Sequence, residues 1–312
     1  CFCGADESKD SVITTFDRYT IPHRMVLCED CMLIRANPRM TAEAYAQFYN
    51  TEYRKIYDGF PYQERSDDDE FLYGLQVTRG QDVKHFLEEF DVVPQSVIDI
   101  GGDKGGTLAP FKDAGCTVYG VEVCQRGRDF AATKGIELVA SLDDLIARGV
   151  KVDLVIMQDV IEHLMDLNEM DKIKEVLSPK GSLFIYTPGL LACEPSKLFQ
   201  NAHTFQFIGA TLEYVMERLG YIAEFLDDRI VSIWRYRDLV DPFQQLPKEW
   251  KRHIVDHLLQ KEKRSLPPVR TKCKFTEKEM LANLDANLAL QIPTIETIKG
   301  TYQGPLIVVG GG

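Results

Sequence analysis

The stretch Val97-Ile98-Asp99-Ile100-Gly101-Gly102-Asp103-Lys104-Gly105-Gly106, followed by Val118-Tyr119-Gly120-Val121-Glu122, constrains this chain more than any other part of it. It reads as a buried strand, a glycine-rich turn, a helix and a second strand ending in an acid. The 23 positions between Asp99 and Glu122 suit one strand–helix–strand step. Glycines in such a turn let the backbone approach a ligand, and an acid at the tip of the second strand is placed to take ribose hydroxyls. The unit is therefore expected to hold a nucleoside.

The turn also discriminates between nucleosides. A dinucleotide site sets a pyrophosphate on a tight helix N-terminus after G-x-G-x-x-G, whereas this turn is G-G-D-K-G-G. S-adenosylmethionine carries no phosphate, so Asp103 can sit in the turn and face its cationic end. Around this unit, residues 71–237 alternate helix and strand signals, which implies a parallel sheet. Expected strands are 96–100, 117–121, 137–140, 152–157 and 182–186, closed by an antiparallel pair at 223–226 and 230–236. The fourth, apolar throughout, suits a strand covered on both faces. A helix is expected over 71–90, with apolar Leu72, Leu75, Val83, Phe86 and Leu87. In a doubly wound sheet the ligand lies at the strands' carboxyl ends, near the switch in strand order.

The first 37 residues have a different character. Cys1, Cys3, Cys28 and Cys31 form two short-spaced pairs around a hairpin of 12–14 and 24–27. Two pairs on two turns can place four thiolates around one tetrahedral zinc, leaving no open position for substrate. Two disulfides or unpaired thiols are the alternative, the disulfides disfavoured in a reducing cytosol. Over 41–57, Tyr45, Phe48, Tyr49, Tyr53 and Tyr57 recur at helical spacing. Such a stripe packs on the main domain or brings one tyrosine to the active site. Ser66-Asp67-Asp68-Asp69-Glu70 is placed to open the next helix.

These features resemble the class I S-adenosylmethionine-dependent methyltransferases. The matching segments are D-I-G-G-D-K-G at 99–105, G-V-E at 120–122, D-L-V-I-M-Q-D-V-I-E-H-L at 153–164, L-S-P-K-G-S-L-F-I at 177–185 and the final strand pair, about half the chain. The first motif departs from D-x-G-x-G-x-G, because Asp103 stands at the middle glycine. A subgroup of deoxysugar C-methyltransferases has a polar residue there and also begins with a cysteine-rich zinc module; the likeness is nearest to that subgroup. The resemblance implies that Gly101, Asp103 and Gly105 line the methionine part of the cofactor and that Glu122 binds both ribose hydroxyls. It implies that Leu142 and Asp143 border the adenine and that Gln158 flanks the methionine. Asp99 either lines the pocket or only caps and orders the turn.

Methyl transfer is an in-line displacement at a sulfonium carbon, helped by holding donor and acceptor in line and by a base for the acceptor's proton. His163 follows the fourth strand and is the natural base, or it only shapes the pocket. His203, on the loop after the fifth strand, is a second candidate. Tyr186 ends the fifth strand, where it contacts substrate or belongs to the core.

Beyond residue 236 the chain turns basic. Lys248, Lys251, Arg252, Lys261, Lys263 and Arg264 surround a stripe of Trp250, Ile254 and Leu258, followed by Arg270, Lys272 and Lys274. This reads as a solvated helix face, with a site for an acidic partner as the alternative. Thr276 to Glu279 gives a capping box. A-N-L-D-A-N-L-A-L-Q-I-P at 282–293 and Y-Q-G-P-L-I-V-V-G-G-G at 302–312 resemble the opening of hydroxymethylpterin-pyrophosphokinase-like domains of flagellin and surface-glycan proteins. The chain begins without Met and stops in a glycine turn, so a fragment of a longer protein is expected.

Composition bounds the partners. Forty-eight acids against 36 Lys and Arg give a net charge of −12, and the central segment lacks the aromatic–basic interleaving of a nucleic-acid groove. No apolar run approaches ~20 residues and no signal peptide is visible, so a cytoplasmic protein without a membrane span is expected. The whole reads as an α/β chain with a doubly wound, Rossmann-like, seven-stranded sheet, a small N-terminal zinc ribbon and a helical C-terminal extension. Its divisions are a zinc ribbon (1–37), an aromatic helical linker (38–70), a methyltransferase domain (71–237), and a helical extension with the start of a further domain (238–312). The expected activity is methyl transfer from S-adenosylmethionine to a small-molecule acceptor, a sugar or surface-glycan precursor. The alternatives are another small metabolite, or a cofactor-binding scaffold without turnover.

Overall fold

The computed structural model describes residues 1–53, 56, 68–193, 198–227, 229–237 and 254 of the 312. Its framework is a seven-stranded sheet in the order β10-β11-β8-β7-β4-β5-β6. These strands are β4 (Ser96–Ile100), β5 (Thr117–Val121), β6 (Leu138–Val139), β7 (Val152–Gln158), β8 (Leu177–Tyr186), β10 (Tyr221–Leu226) and β11 (Val231–Tyr236). The pairs β4–β5, β4–β7, β5–β6 and β7–β8 are parallel, and β11 runs antiparallel to both β8 and β10. The order reverses between β4 and β7, which places the switch point at the carboxyl ends of those two strands.

Both faces of the sheet are covered, as the near-continuous apolar strands require. Along β7, Leu154 and Ile156 enter one core while Val155 and Met157 enter the other. That alternation is the two-residue period of a strand. Fully burying side chains of this size is worth roughly 1.5–3 kcal/mol each. One core lies under α2 (Asp69–Glu88) and α3 (Ala109–Asp113), through Val83, Leu87, Leu108 and Phe111. The other lies on the opposite face, under α7 (Gly209–Arg218), which contributes Leu212, Val215 and Met216.

Helix α2 starts at Asp69, with Asp68 as N-cap accepting from the Phe71 amide, so the acidic turn opens this helix. Of its apolar residues, Leu75 is 50% exposed. The first turns pass the glycine turn, and a Cβ on Gly106 would stand 2.5 Å from the Tyr73 carbonyl. Tyr73, Val77, Gly80, Val83 and Leu87 therefore face inward, and Leu75 falls on the far side of the helix. Strand β8 begins at Leu177, earlier than expected. Ser178, Pro179, Lys180 and Gly181 fall in a register shift opposite β7, where a bulge tolerates proline and glycine.

At the N-terminus, β1 (Asp10–Phe16), β2 (Pro22–Cys28) and β3 (Ile34–Ala36) form a second sheet completed by β9 (Phe205–Gln206). Strand β9 comes from the loop after β8, far along the sequence. Met25, Leu27 and Ile34 of this sheet share one core with Leu212 and Val215 of α7. Between the sheets runs α1 (Ala42–Thr51), N-capped by Thr41. The readings over 54–67 (except Ile56), and the basic helix, capping box and closing strand expected over 238–312, lie outside the described residues, apart from the buried Ile254. No helix among the described residues is long and apolar enough to cross a membrane.

Candidate active site

The glycine turn leaves β4 with Gly101 at φ +75° and Gly105 at φ +78°, backbone settings that side chains resist. Asp103 adopts φ +42° in the same turn. The Gly101 and Gly102 amides donate to the Val121 carbonyl at 2.8 and 3.1 Å, tying the turn to the end of β5. Glu122 completes the tie. It accepts from the Asp103 amide at 2.9 Å and from the Cys124 amide at 2.6 Å. Its carboxylate is thereby fixed at the carboxyl end of β5.

Asp103 leans toward α2 as well as lining the turn. Gln76 donates to its carboxylate at 3.2 Å and accepts from the Gly106 amide at 3.1 Å. The buried Lys104 ammonium lies 3.0 Å from Asp69 and 3.7 Å from Asp103. Asp99 sits beneath the turn at 3% exposure. Burial, then the Glu122 charge, pushes its carboxyl up to about 8. This placement suits a residue that orders the turn from below.

Gln158 ends β7, and its Oε1 is buried with no hydrogen-bond partner among the described residues. An orphaned buried acceptor beside the switch point is what a ligand's donor would satisfy. Leu142 and Asp143 open α5 (Leu142–Ala147) after β6, capped by Ser141. Asp143 is solvent-facing and pairs with Lys172 at 2.8 Å. Tyr186 stands opposite Gln158 in the β7–β8 register, half-buried, with burial raising its hydroxyl. Between them Asp159 takes φ +54° and pairs with Arg79 at 3.1 Å.

His163 closes the short helical turn Ile161–His163 after β7. Its Nδ1 lies 2.9 Å from the Ala202 carbonyl and 3.0 Å from the Tyr49 hydroxyl. A carbonyl only accepts, so Nδ1 carries the hydrogen and Nε2 holds the lone pair. Tyr45 donates to the same Ala202 carbonyl at 2.8 Å and to the His163 carbonyl at 3.0 Å. Tyr49 stacks on Tyr53 with centroids 4.5 Å apart. Burial lowers His163 to about 4, against the Ala202 carbonyl, which favours its charged form. The side chain keeps 14% exposure, and Nε2 stands 4.0 Å from Glu162. Burial, then Asp159, pushes Glu162 up to about 8.

His203 occupies a different kind of position. It is buried behind His163, with ring centroids 4.7 Å apart. Gln206 Nε2 donates to the Leu198 carbonyl and lies 2.8 Å from His203 Nδ1, which therefore accepts, while the Gln200 amide closes on Nε2. Both ring nitrogens are engaged, which leaves His203 a packing and orienting role rather than a proton-transfer one. Glu162, His163 and His203 bring ligand-type atoms within 4.8 Å of one another, but the engagement of His203 makes them a poor cation set. Among the expected site residues the structure thus gathers Asp99, Gly101, Asp103, Gly105, Glu122 and Gln158 around one carboxyl edge, with Tyr186 at the end of β8 and His163 in the helical turn after β7. Of the aromatic stripe, Tyr45 and Tyr49 are the residues that meet His163. The signal for them was the four-residue spacing of Tyr45, Tyr49 and Tyr53.

The four cysteines converge. Cys1 and Cys31 sulfurs are 3.5 Å apart, Cys3 and Cys28 sulfurs 3.6 Å, and all four lie within 4.8 Å of one another. Zinc–sulfur bonds of ~2.3 Å in a tetrahedron demand sulfur separations of about 3.8 Å, so the set could hold a zinc ion.

A family model described as a methyltransferase domain matches residues 75–241. The chain belongs to this methyltransferase domain family. Among curated proteins, the ubiquinone biosynthesis O-methyltransferase of Bartonella tribocorum is 29% identical over 99 residues, 29% of this chain and 40% of the relative. Its namesake from Chelativorans sp. is 27% identical, with 29% and 39% covered. The chain thus spans about two fifths of the length of the curated relatives it matches. Among solved structures, the Burkholderia thailandensis 1,6-didemethyltoxoflavin-N1-methyltransferase aligns with a TM-score of 0.46 at 15% identity, covering 67% of this chain and 97% of that one. A Clostridium acetobutylicum S-adenosylmethionine-dependent methyltransferase aligns with a TM-score of 0.43 at 11% identity, covering 62% and 99%.

Proposed function

We propose that this chain transfers a methyl group from S-adenosylmethionine to a small acceptor, a sugar or surface-glycan precursor. The observation that carries the reading is the switch-point edge, where the fixed Glu122 carboxylate and the orphaned Gln158 Oε1 flank a glycine turn. Glu122 suits the two ribose hydroxyls. Gln158 and Asp103 suit a methionine ammonium, and the solvent-facing end of α5 suits an adenine edge. When bound, the cofactor supplies an electrophilic methyl on a sulfonium.

In this reading His163 is the base. Its hydrogen is held at Nδ1, so the lone pair at Nε2 takes the acceptor's proton. Tyr186, across β7–β8, contacts the acceptor, and Tyr45 and Tyr49 keep the imidazole from turning. The sugar assignment draws on Asp103 at the middle-glycine position together with an N-terminal cysteine module. We further infer that Cys1, Cys3, Cys28 and Cys31 hold a structural zinc and that the protein works in the reducing cytoplasm, where Cys116, Cys124 and Cys193 remain thiols. The curated relatives are named as ubiquinone biosynthesis O-methyltransferases, which makes a hydroxyl of another small metabolite the second acceptor class to test.

Incubation with methyl-labelled S-adenosylmethionine and a panel of nucleotide-linked deoxysugars and catechols tests the assignment. Label transfer to a sugar, lost in His163→Gln, supports it. Transfer only to a catechol replaces the acceptor class, and cofactor binding without transfer to any acceptor overturns the enzyme reading in favour of a scaffold.

A further inference from the structure

We propose that the four-cysteine module is a positioning part of the catalytic site, acting through β9 to hold His163 in its Nδ1–H form; this rests on the reading of His163 as base. The module and the histidine grip opposite sides of one short stretch, 202–206. On the module side, Ile34 and Arg35 of β3 pair with Gln206 and Phe205, and the Ala36 amide donates to the Thr204 carbonyl at 2.8 Å. On the site side, the Ala202 carbonyl takes the His163 Nδ1 hydrogen at 2.9 Å, and the Thr204 amide donates to the Glu162 carbonyl at 2.8 Å. Thr204 thus bonds both neighbours, its carbonyl to the module and its amide to the site.

The hairpin tip adds a second grip. The Arg18 amide donates to the Phe199 carbonyl at 2.8 Å, and Asn201 donates to Asp17 at 3.3 Å. A loop following a strand edge is ordinarily free to move. This one is clamped by β3 at one end and by the β1–β2 tip at the other.

The sulfurs set where β3 starts. Cys28 ends β2, its amide donates to the Leu33 carbonyl at 3.0 Å, and the Met32 amide returns to the Cys28 carbonyl at 2.8 Å. Met32 takes φ +61° in that turn, a setting a methionine holds only when its surroundings impose it. Joining Cys28 and Cys31 to Cys1 and Cys3 closes the turn and fixes the register of β3 against β9. The cofactor residues have separate supports: Glu122 is held by the Asp103 and Cys124 amides, and the turn by Val121 and Gln76.

The test compares the unsubstituted chain with Cys28→Ser/Cys31→Ser, which removes half the sulfur set, and with Ala36→Pro. The proline keeps all four sulfurs and deletes the donor to Thr204. Histidine nitrogen NMR reads the His163 tautomer, and calorimetry reads affinity for S-adenosylhomocysteine. Both variants are expected to lose the single Nδ1–H signature of His163 while affinity stays within about twofold, as for sites that share no partners. A His163 signature unchanged in both variants overturns the proposal. So does loss of cofactor affinity in step with the signature, since the module would then support the whole fold. Neither readout needs turnover, so a protein that transfers no methyl group would refute the activity without touching this result.

Discussion

His163 Nδ1 sits 2.9 Å from the Ala202 carbonyl oxygen, and that contact decides which ring nitrogen carries the lone pair. Because burial lowers this imidazole to about 4, it stays neutral, and competent as a base, from alkaline pH down to near pH 5. An ordinary histidine base would lose half its activity near pH ~6.5. The acid limb of the pH–rate profile is therefore expected below pH 5.5, read from initial rates between pH 4.5 and 9 with the cofactor saturating.

Replacing His163 with Gln should lower turnover by ~10²–10⁴-fold, the usual worth of a positioned base. Tyr49→Phe removes one hydroxyl beside Nδ1 and should cost about tenfold, the scale of a single hydrogen bond. Neither change should alter affinity for S-adenosylhomocysteine. Equal loss of affinity and rate would assign both residues to cofactor binding.

Stability should fall as the solution is made alkaline. Glu162 and Asp99 are each raised to about 8 in the folded chain, above their unfolded values near ~4. The folded state then binds more protons, so their stabilisation is complete below the unfolded value and lost as pH rises through 8. His23 and His163, lowered to about 4, act oppositely, adding stability as pH rises from 4 to ~6.5. Of these four groups, only the two acids change stability between pH 6.5 and 8, at up to about 1.4 kcal/mol per pH unit each. Melting temperature should drop across that window, and Glu162→Gln should roughly halve the slope.

Much of the site was legible because it is local. The glycine turn, the acid ending β5 and the Glu162-His163 pair sit within short segments whose spacing mirrors a strand–turn–helix geometry. What was not legible depends on contacts distant in sequence. Strand β9 is only Phe205 and Gln206, too short for any periodicity, and it exists because β3 offers an open edge. His203 looked like a loop histidine until Gln200 and Gln206 occupied its nitrogens. Which stripe of α2 faces inward depends on its close approach to Gly106, a contact 30 residues away.

Lys104 places a buried ammonium between Asp69 and Asp103. Lys104→Met should remove this ammonium from Asp103 and from Asp69, which keeps Arg126 at 3.2 Å, and cost about 1–3 kcal/mol, less than the ~3–5 kcal/mol of a fully buried pair. Chemical denaturation checks this, with an unchanged midpoint as the contrary result.

The four sulfurs should bring one zinc per chain through purification, measured by atomic absorption. Cys28→Ser should abolish the metal and lower the melting temperature. Retention of full stability without metal would point to thiols packed for their own sake.

The most direct test of the cofactor pocket, on which the proposed activity depends, is titration calorimetry with S-adenosylhomocysteine on the intact chain and on Glu122→Ala. The account predicts saturable one-to-one binding, weakened at least ~10-fold in the variant through loss of charge-assisted bonds to the ribose. Binding that is absent in the intact chain, or unchanged by Glu122→Ala, would contradict it.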